Sequence, residues 1–224
     1  MNIITLDFET YYAQDFSLTK LTTEEYVRDD RFEVIGVSVK ENDDETKWFS
    51  GSHKEVLDFL SKYDWSNSFA LAHNAMFDSA ILSWRYGIKP KAILDTLSMA
   101  RALHGSEVGN SLAKLSVYYE LGEKGTEVVD ALGKRRWDFD AQSLASYAGY
   151  CINDVELTYK LWQALVPSFK LTELQTISLT IKMFSEPVLE LDTNMLEQHL
   201  LEVRYRKENL LDEAGITDVK ELMS

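Results

Sequence analysis

Apolar residues open the chain in an almost unbroken run, Ile3, Ile4 and Leu6, which predicts a buried strand over Ile3–Leu6. A polar stretch with helical character follows in DFSLTKLTTEEYVRDDR, and FEVIGVSVK then predicts a second strand. NDDE is a turn and TKWF returns as a third strand, so hairpin-like pairing of the early strands is expected. HKEVLDFLSKY places Val56, Leu57, Leu60 and Tyr63 at helical spacing. SFALAHN is a short apolar strand, AMFDSAILSWRYG is a helix that stops at Gly87, and AILD is a further strand. Helices follow around Thr96–Leu103, Ser111–Tyr119 and Gln142–Leu165. A three-strand meander followed by strand–helix alternation predicts an α/β fold, a mixed five-stranded sheet flanked by helices.

After Pro167 the pattern is purely helical, in LTELQTISLTIKMFSEPVLEL and TNMLEQHLLEVRYRKENLLDEAG, with Pro187 between them. Residues 1–166 therefore read as one domain and 167–224 as a C-terminal helical appendage. The chain stops at DVKELMS with no obvious end to the fold, as expected of a piece of a longer protein or else of a complete small one.

Composition narrows the class. A chain of 224 residues with 45% hydrophobic and 12% aromatic content can bury a real core. No apolar run has the length needed to span a bilayer, so no membrane partner is expected. The start MNIITLDFET lacks the basic region and cleavage site of a signal peptide, which predicts a cytoplasmic protein. A single cysteine, Cys151, excludes an internal disulfide and a cysteine-based zinc cluster. The net charge of −14 favours a divalent cation or a partner other than nucleic acid, because nucleic-acid binders normally carry a basic face. Positive charge does gather at Lys134, Arg135 and Arg136 beside Trp137, as a solvated turn or a phosphate contact.

Three acidic elements carry the candidate chemistry. Asp7 and Glu9 flank Phe8 at the end of the first strand, so both carboxylates project from one face. That end of a strand in an α/β sheet is where ligands bind. Asp78 falls one turn into a helix that follows a short buried strand, either complementing the helix dipole or reaching Asp7 and Glu9. His73 and Asn74 lie at that strand's exit, His73 as a turn residue or a site residue. Tyr150 and Asp154, four apart, project from one face of a helix, with Tyr147 a turn earlier. Four carboxylates, Asp7, Glu9, Asp78 and Asp154, cannot stay ionised together without cations. Oxygen ligands favour Mg²⁺ or Mn²⁺ over zinc. Two such ions about 4 Å apart clamp the attacking and leaving oxygens of a phosphodiester. Tyr150 is then placed to orient the attacking water.

DFET, HNAMFD and YCIND, in that order, resemble the three motifs of the 3′→5′ exonucleases with four acids and a tyrosine, the DEDDy group. The spacing is most similar to the proofreading domain of family A DNA polymerases, especially those of bacteriophages. LDTLSMARAL is similar to the strand–helix junction after the second motif, and SEPVLELDTNML to the helical link towards a polymerase thumb. The resemblance implies a ribonuclease H-like fold and two divalent cations, Mg²⁺ or Mn²⁺. It also implies a single-stranded or frayed DNA 3′ end as substrate, a polymerase domain in cis or in trans, and a bacterial or phage-infected cytoplasm. Asp7, Glu9 and Asp154 would hold the metal that activates water, and Asp7 also the second metal, with Asp78 acting through its water shell. Tyr150 would position the nucleophile. Thr10 and Asn74 match residues that touch the terminal nucleotide or support the site. Where the family places a wedge against the terminal bases this chain has Ala13 and Gln14, and Tyr11 or Tyr12 would stack there or fill the loop. No polymerase motif occurs in these residues. An RNA-trimming exonuclease of the same fold and a non-catalytic nucleic-acid- or polymerase-binding relative are the alternatives, although the latter leaves the complete acid set unexplained. A two-carboxylate glycosidase gives no reason for Tyr150.

Overall fold

The apolar opening forms β1 (Asn2–Thr10), which continues past Leu6 through both acids. In the computed structural model, which describes residues 2–105, 107–125 and 131–215, β1 is the middle of one five-stranded sheet. Its other strands are β2 (Val34–Glu41), β3 (Lys47–Phe49), β4 (Ser68–Ala72) and β5 (Ala92–Asp95), in the order β3-β2-β1-β4-β5. β1 pairs antiparallel with β2 from Ile4 opposite Glu41 to Thr10 opposite Val34, with an irregularity between Glu9 and Thr10. Its parallel pairing with β4 ends at Thr5 opposite Leu71. The acidic end of β1 is thus held on one side only. The fold is the expected one: a ribonuclease H-like mixed α/β sheet flanked by helices.

Side-chain parity divides the core. Ile4, Leu6 and Phe8 pack with Tyr26, Val56, Leu60, Ile81 and Leu82. These come from α1 (Thr23–Arg28), α2 (His53–Leu60) and α3 (Ala75–Tyr86). Ile3 faces the opposite way, against Leu115, Leu157 and Leu161. That layer contains α4 (Thr96–His104), α5 (Leu112–Tyr118) and α6 (Ala141–Leu165). Asp7 and Glu9 share the parity of Ile3, so they face α6. A half-buried ion pair ties α6 to β2: Lys40 Nζ lies 2.9 Å from Glu156 Oε1, which also accepts from Thr46 Oγ1.

The polar stretch after β1 is helical only at α1. Thr22 and Glu25 form a capping box at its start, and Asp29 is extended at its end. The compact unit runs from Met1 to Pro187 and includes α7 (Leu171–Ser185), which the expected boundary at 166 leaves outside. α7 packs on β5 and α3, where Ser178 Oγ accepts from the Ile93 amide at 2.9 Å. The second unit, Val188–Ser224, contains α8 (Thr193–Glu213). Asp192 caps α8 by accepting from the Met195 amide, and the helix buries none of its side chains. None of the described helices is long and apolar enough to cross a membrane.

Candidate active site

Four carboxylates meet where β1 outruns β4. Beyond Thr5 the strand has lost its parallel neighbour, and the Phe8 amide donates instead to Asp78 Oδ1 at 3.2 Å. Asp78 reaches β1 from the first turn of α3 and is 4% exposed. From α6, Cys151 places its thiol 3.3 Å from the Asp7 carbonyl oxygen and 3.4 Å from Asp7 Oδ2. Asp154 lies nearly one turn further along and is buried, with Oδ1 left without any partner. Tyr147, one turn before Cys151, hydrogen-bonds Glu9.

The electrostatics follow from crowding. Burial, then the Asp154 carboxylate, push Asp7 up to about 7. Burial and the Asp7 carboxylate push Glu9 up to about 8, against the Tyr147 hydrogen bond. Burial and Asp7 hold Asp78 well above the usual carboxylate range. Asp154 is also raised by burial, although Lys124 opposes this with its ammonium 2.7 Å from Asp154 Oδ2. The Cys151 thiol is pushed far up by burial, so it stays protonated as a donor to Asp7. The remaining donor set is oxygen only. Together with the unpartnered Asp154 Oδ1, it fits a hard divalent cation.

The residues expected around the carboxylates take different positions. Tyr150 lies one turn before Asp154, half-buried, with its hydroxyl bonded by Lys124. Thr10 Oγ1 is 2.9 Å from Tyr26 Oη, which itself donates to the Tyr11 carbonyl. The Tyr11 ring lies under the Arg135 guanidinium at 4.1 Å, and Arg135 Nη1 pairs with Glu33 at 2.7 Å. The Arg136 amide also donates to Glu33, so this basic segment is partly committed within the fold. Lys134 donates its amide to the Ala131 carbonyl. His73 spends both ring nitrogens internally, on Thr96 Oγ1 at 2.8 Å and the Asn110 carbonyl at 3.1 Å. Asn74 is exposed in a left-handed conformation at the start of α3. Residues 126–130, within the polar stretch before Lys134, lie outside the described residues.

A protein-family model described as 3′-5′ exonuclease matches residues 22–170, more than half of the chain. The chain belongs to the 3′-5′ exonuclease family. The matched stretch of this exonuclease contains Asp78, Tyr150 and Asp154 and begins after Asp7 and Glu9, which rest on geometry alone. No curated protein sequence matches the exonuclease. Among solved structures it is similar to Brucella melitensis NrnC bound to pGG, with a TM-score of 0.58 at 14% identity over 82% of this chain and 83% of that one. RNase D of Trypanosoma brucei gives 0.61 at 14% identity over 84% and 68%. The family B DNA polymerase of Pyrobaculum calidifontis gives 0.54 at 18% identity over 83% of this chain and 27% of that one. At such identities these likenesses carry the fold.

Lys124, Tyr147 and Cys151 join the site without having been singled out as site residues from sequence. Lys124 lies between Glu123 and Gly125 in a stretch with no periodic signal. Tyr147 and Cys151 had only their helical offsets from Asp154 to betray them.

Proposed function

We propose that this exonuclease removes nucleoside 5′-monophosphates from DNA 3′ ends by two-metal-ion hydrolysis, as the proofreading part of a DNA polymerase. The observation that carries it is the meeting of Asp7, Glu9, Asp78 and Asp154 at one end of β1, beside Tyr150. The likeness to a DNA polymerase supports the DNA reading. Residues 188–224, beyond the first compact unit, would then begin the link to a polymerase domain.

Asp7, Glu9 and Asp154 would hold one divalent cation, Mg²⁺ or Mn²⁺; Asp7 would share a second, with Asp78 acting through water. A Brucella melitensis NrnC structure with bound Mg²⁺ supports Mg²⁺ as the ion. Bound cations supply the positive charge that keeps the carboxylates ionised and stabilises charge on the phosphate oxygens. Tyr150 donates its hydroxyl proton towards the attacking water and so fixes that oxygen in line with the phosphorus. The Glu9 carboxylate, oriented by Tyr147, accepts a proton from the same water. Thr10, Asn74 and Tyr11 would contact the terminal nucleotide, whereas His73 spends both ring nitrogens on Thr96 and Asn110. Lys134, Arg135 and Arg136 would contact the strand backbone.

The likeness to RNase D favours a second reading, in which RNA 3′ ends are trimmed. One experiment separates them: 5′-labelled single-stranded DNA and RNA oligonucleotides with Mg²⁺, Mn²⁺ or EDTA, beside the Asp7→Ala/Glu9→Ala variant. A 3′-shortening ladder on DNA, absent with EDTA and with the variant, is expected. A ladder on RNA alone replaces the DNA reading with the RNA one. Equal degradation by the variant overturns both.

A further inference from the structure

Among the described residues, Lys124 is the cation that reaches the carboxylate cluster, and it comes from outside the elements that build it. Its ammonium lies 2.7 Å from Asp154 Oδ2 and 5.0 Å from the centroid of the Tyr150 ring, and it bonds the Tyr150 hydroxyl. The backbone beneath it is tied to α6, where Asn153 Nδ2 donates to the Glu123 carbonyl at 3.2 Å. Beside it opens a cleft of about 580 Å³, lined by Lys124, Gly125, Ser146, Gly149, Tyr150 and Asn153. A Cβ at Gly149 would meet nothing within 4 Å, so the cleft is open at that wall.

An ammonium has three donors and no acceptor, so the Tyr150 oxygen can only accept from Lys124. Its own proton goes to the Asp154 carboxylate, beside the position of the attacking water. Asp154 meanwhile spends Oδ2 on Lys124 and leaves Oδ1 unpartnered. We propose that Lys124 is a positioning residue for hydrolysis: it fixes Tyr150 as a hydrogen-bond donor towards Asp154 and the attacking water beside it, and stands in for a cation on Asp154 until one binds. The proposal rests on the exonuclease reading above for its rate effect, but not for its effect on ion binding.

Two consequences have opposite signs. Removing the ammonium frees Asp154 Oδ2 and removes a like charge from the ion site, so divalent ions should bind more tightly. It also frees the Tyr150 hydroxyl to rotate, so hydrolysis should slow. A purely structural lysine would weaken both together.

The test uses the full chain with Lys124→Met, which keeps the stem, Lys124→Arg, which keeps the charge, and Lys124→Gln as a second neutral variant should the first fail to fold. Ca²⁺ binding is read by calorimetry, and kcat and KM on a labelled oligonucleotide at saturating Mg²⁺. Lys124→Met should bind Ca²⁺ several-fold more tightly while kcat falls about 10- to 100-fold and KM hardly moves. Lys124→Arg should recover part of the rate. The Lys124→Met/Tyr150→Phe double variant should be no slower than Tyr150→Phe alone, because the lysine acts through the tyrosine. Unchanged or weaker Ca²⁺ binding, or a fully additive double variant, overturns the proposal. If the wild-type chain shortens no oligonucleotide, the exonuclease reading falls, and the Ca²⁺ titration still decides whether Lys124 competes for Asp154.

Discussion

Asp7 and Glu9 hold their protons to about 7 and about 8 because burial, joined by repulsion from Asp154 at Asp7 and from Asp7 at Glu9, opposes ionisation. In the unfolded chain the same groups ionise near their ordinary values of 3.8 and 4.5. Between about pH 4 and 8 the folded protein therefore binds more protons than the unfolded one, and this contribution to stability falls as pH rises. Burial lowers His73, which contributes the opposite slope below its ordinary value of 6.5, so the informative quantity is a difference. In EDTA, the melting temperature of Asp7→Asn/Glu9→Gln should fall less than that of the wild type as pH rises from about 5 to about 8. Added Ca²⁺ should raise the wild-type melting temperature most at the alkaline end of this range. Parallel melting curves for the two proteins would refute the shared-burden account of the cluster. At this scale the acids were readable from strand parity and helix spacing. Lys124 was not, because one lysine between Glu123 and a glycine carries no period, and its value depends on a contact across the fold.

One carboxylate outside the cluster settles where the element bearing Asp78 begins. Asp95, at the end of β5 and 4% exposed, accepts through Oδ1 from the amides of Asn74 at 2.9 Å, Ala75 at 3.1 Å and Leu97 at 3.1 Å. Through Oδ2 it accepts from the Ser98 amide at 3.1 Å and from Ser98 Oγ at 2.6 Å. It therefore caps α3 and α4 together, and the left-handed turn at Asn74 gives α3 no side-chain cap of its own. Asp95→Ala strips both helix starts and should cost about 2–4 kcal/mol in urea unfolding, with an unchanged m-value. Asp95→Asn keeps an acceptor and should cost less. A loss as small as that of a surface substitution would mean that α3 is held by packing alone. Most elements were legible as periods, and the D-T-L-S run of α4 even shows its own cap. The reach from Asp95 to Asn74, however, joins residues 21 positions apart and is set by the parallel pairing of β4 and β5. The same reason hid the end of β1: the near-continuous apolar run ends at Leu6, where Asp7 and Glu9 begin to alternate with Phe8, but pairing with β2 carries the strand on to Thr10.

Over the whole chain the issue is which helices the sheet requires. Helical periodicity marks α7 and α8 alike, and nothing in their sequences says that only one belongs to the first compact unit. The distinction lies in what α7 covers. Ile181 packs with Ala72, Ala75 and Ile93, and Ser178 Oγ takes the Ile93 amide. Lys182 Nζ donates to the Pro90 carbonyl at 2.8 Å, and Trp84 Nε1 donates to the Ser185 carbonyl at 2.9 Å. Ending the chain at 166 would bare β5 and strip these partners from buried polar groups, each costing about 1–3 kcal/mol. A chain of residues 1–187 keeps both core layers, every one of the four carboxylates and Lys124. It should melt cooperatively and retain kcat, with any loss confined to KM, whereas 1–166 should melt far lower or aggregate. Calorimetry and oligonucleotide shortening by the two truncated chains decide this. Equal stability of 1–166 and 1–187 would make α7 an appendage, and a lost kcat in a well-folded 1–187 would place part of the active site beyond Pro187.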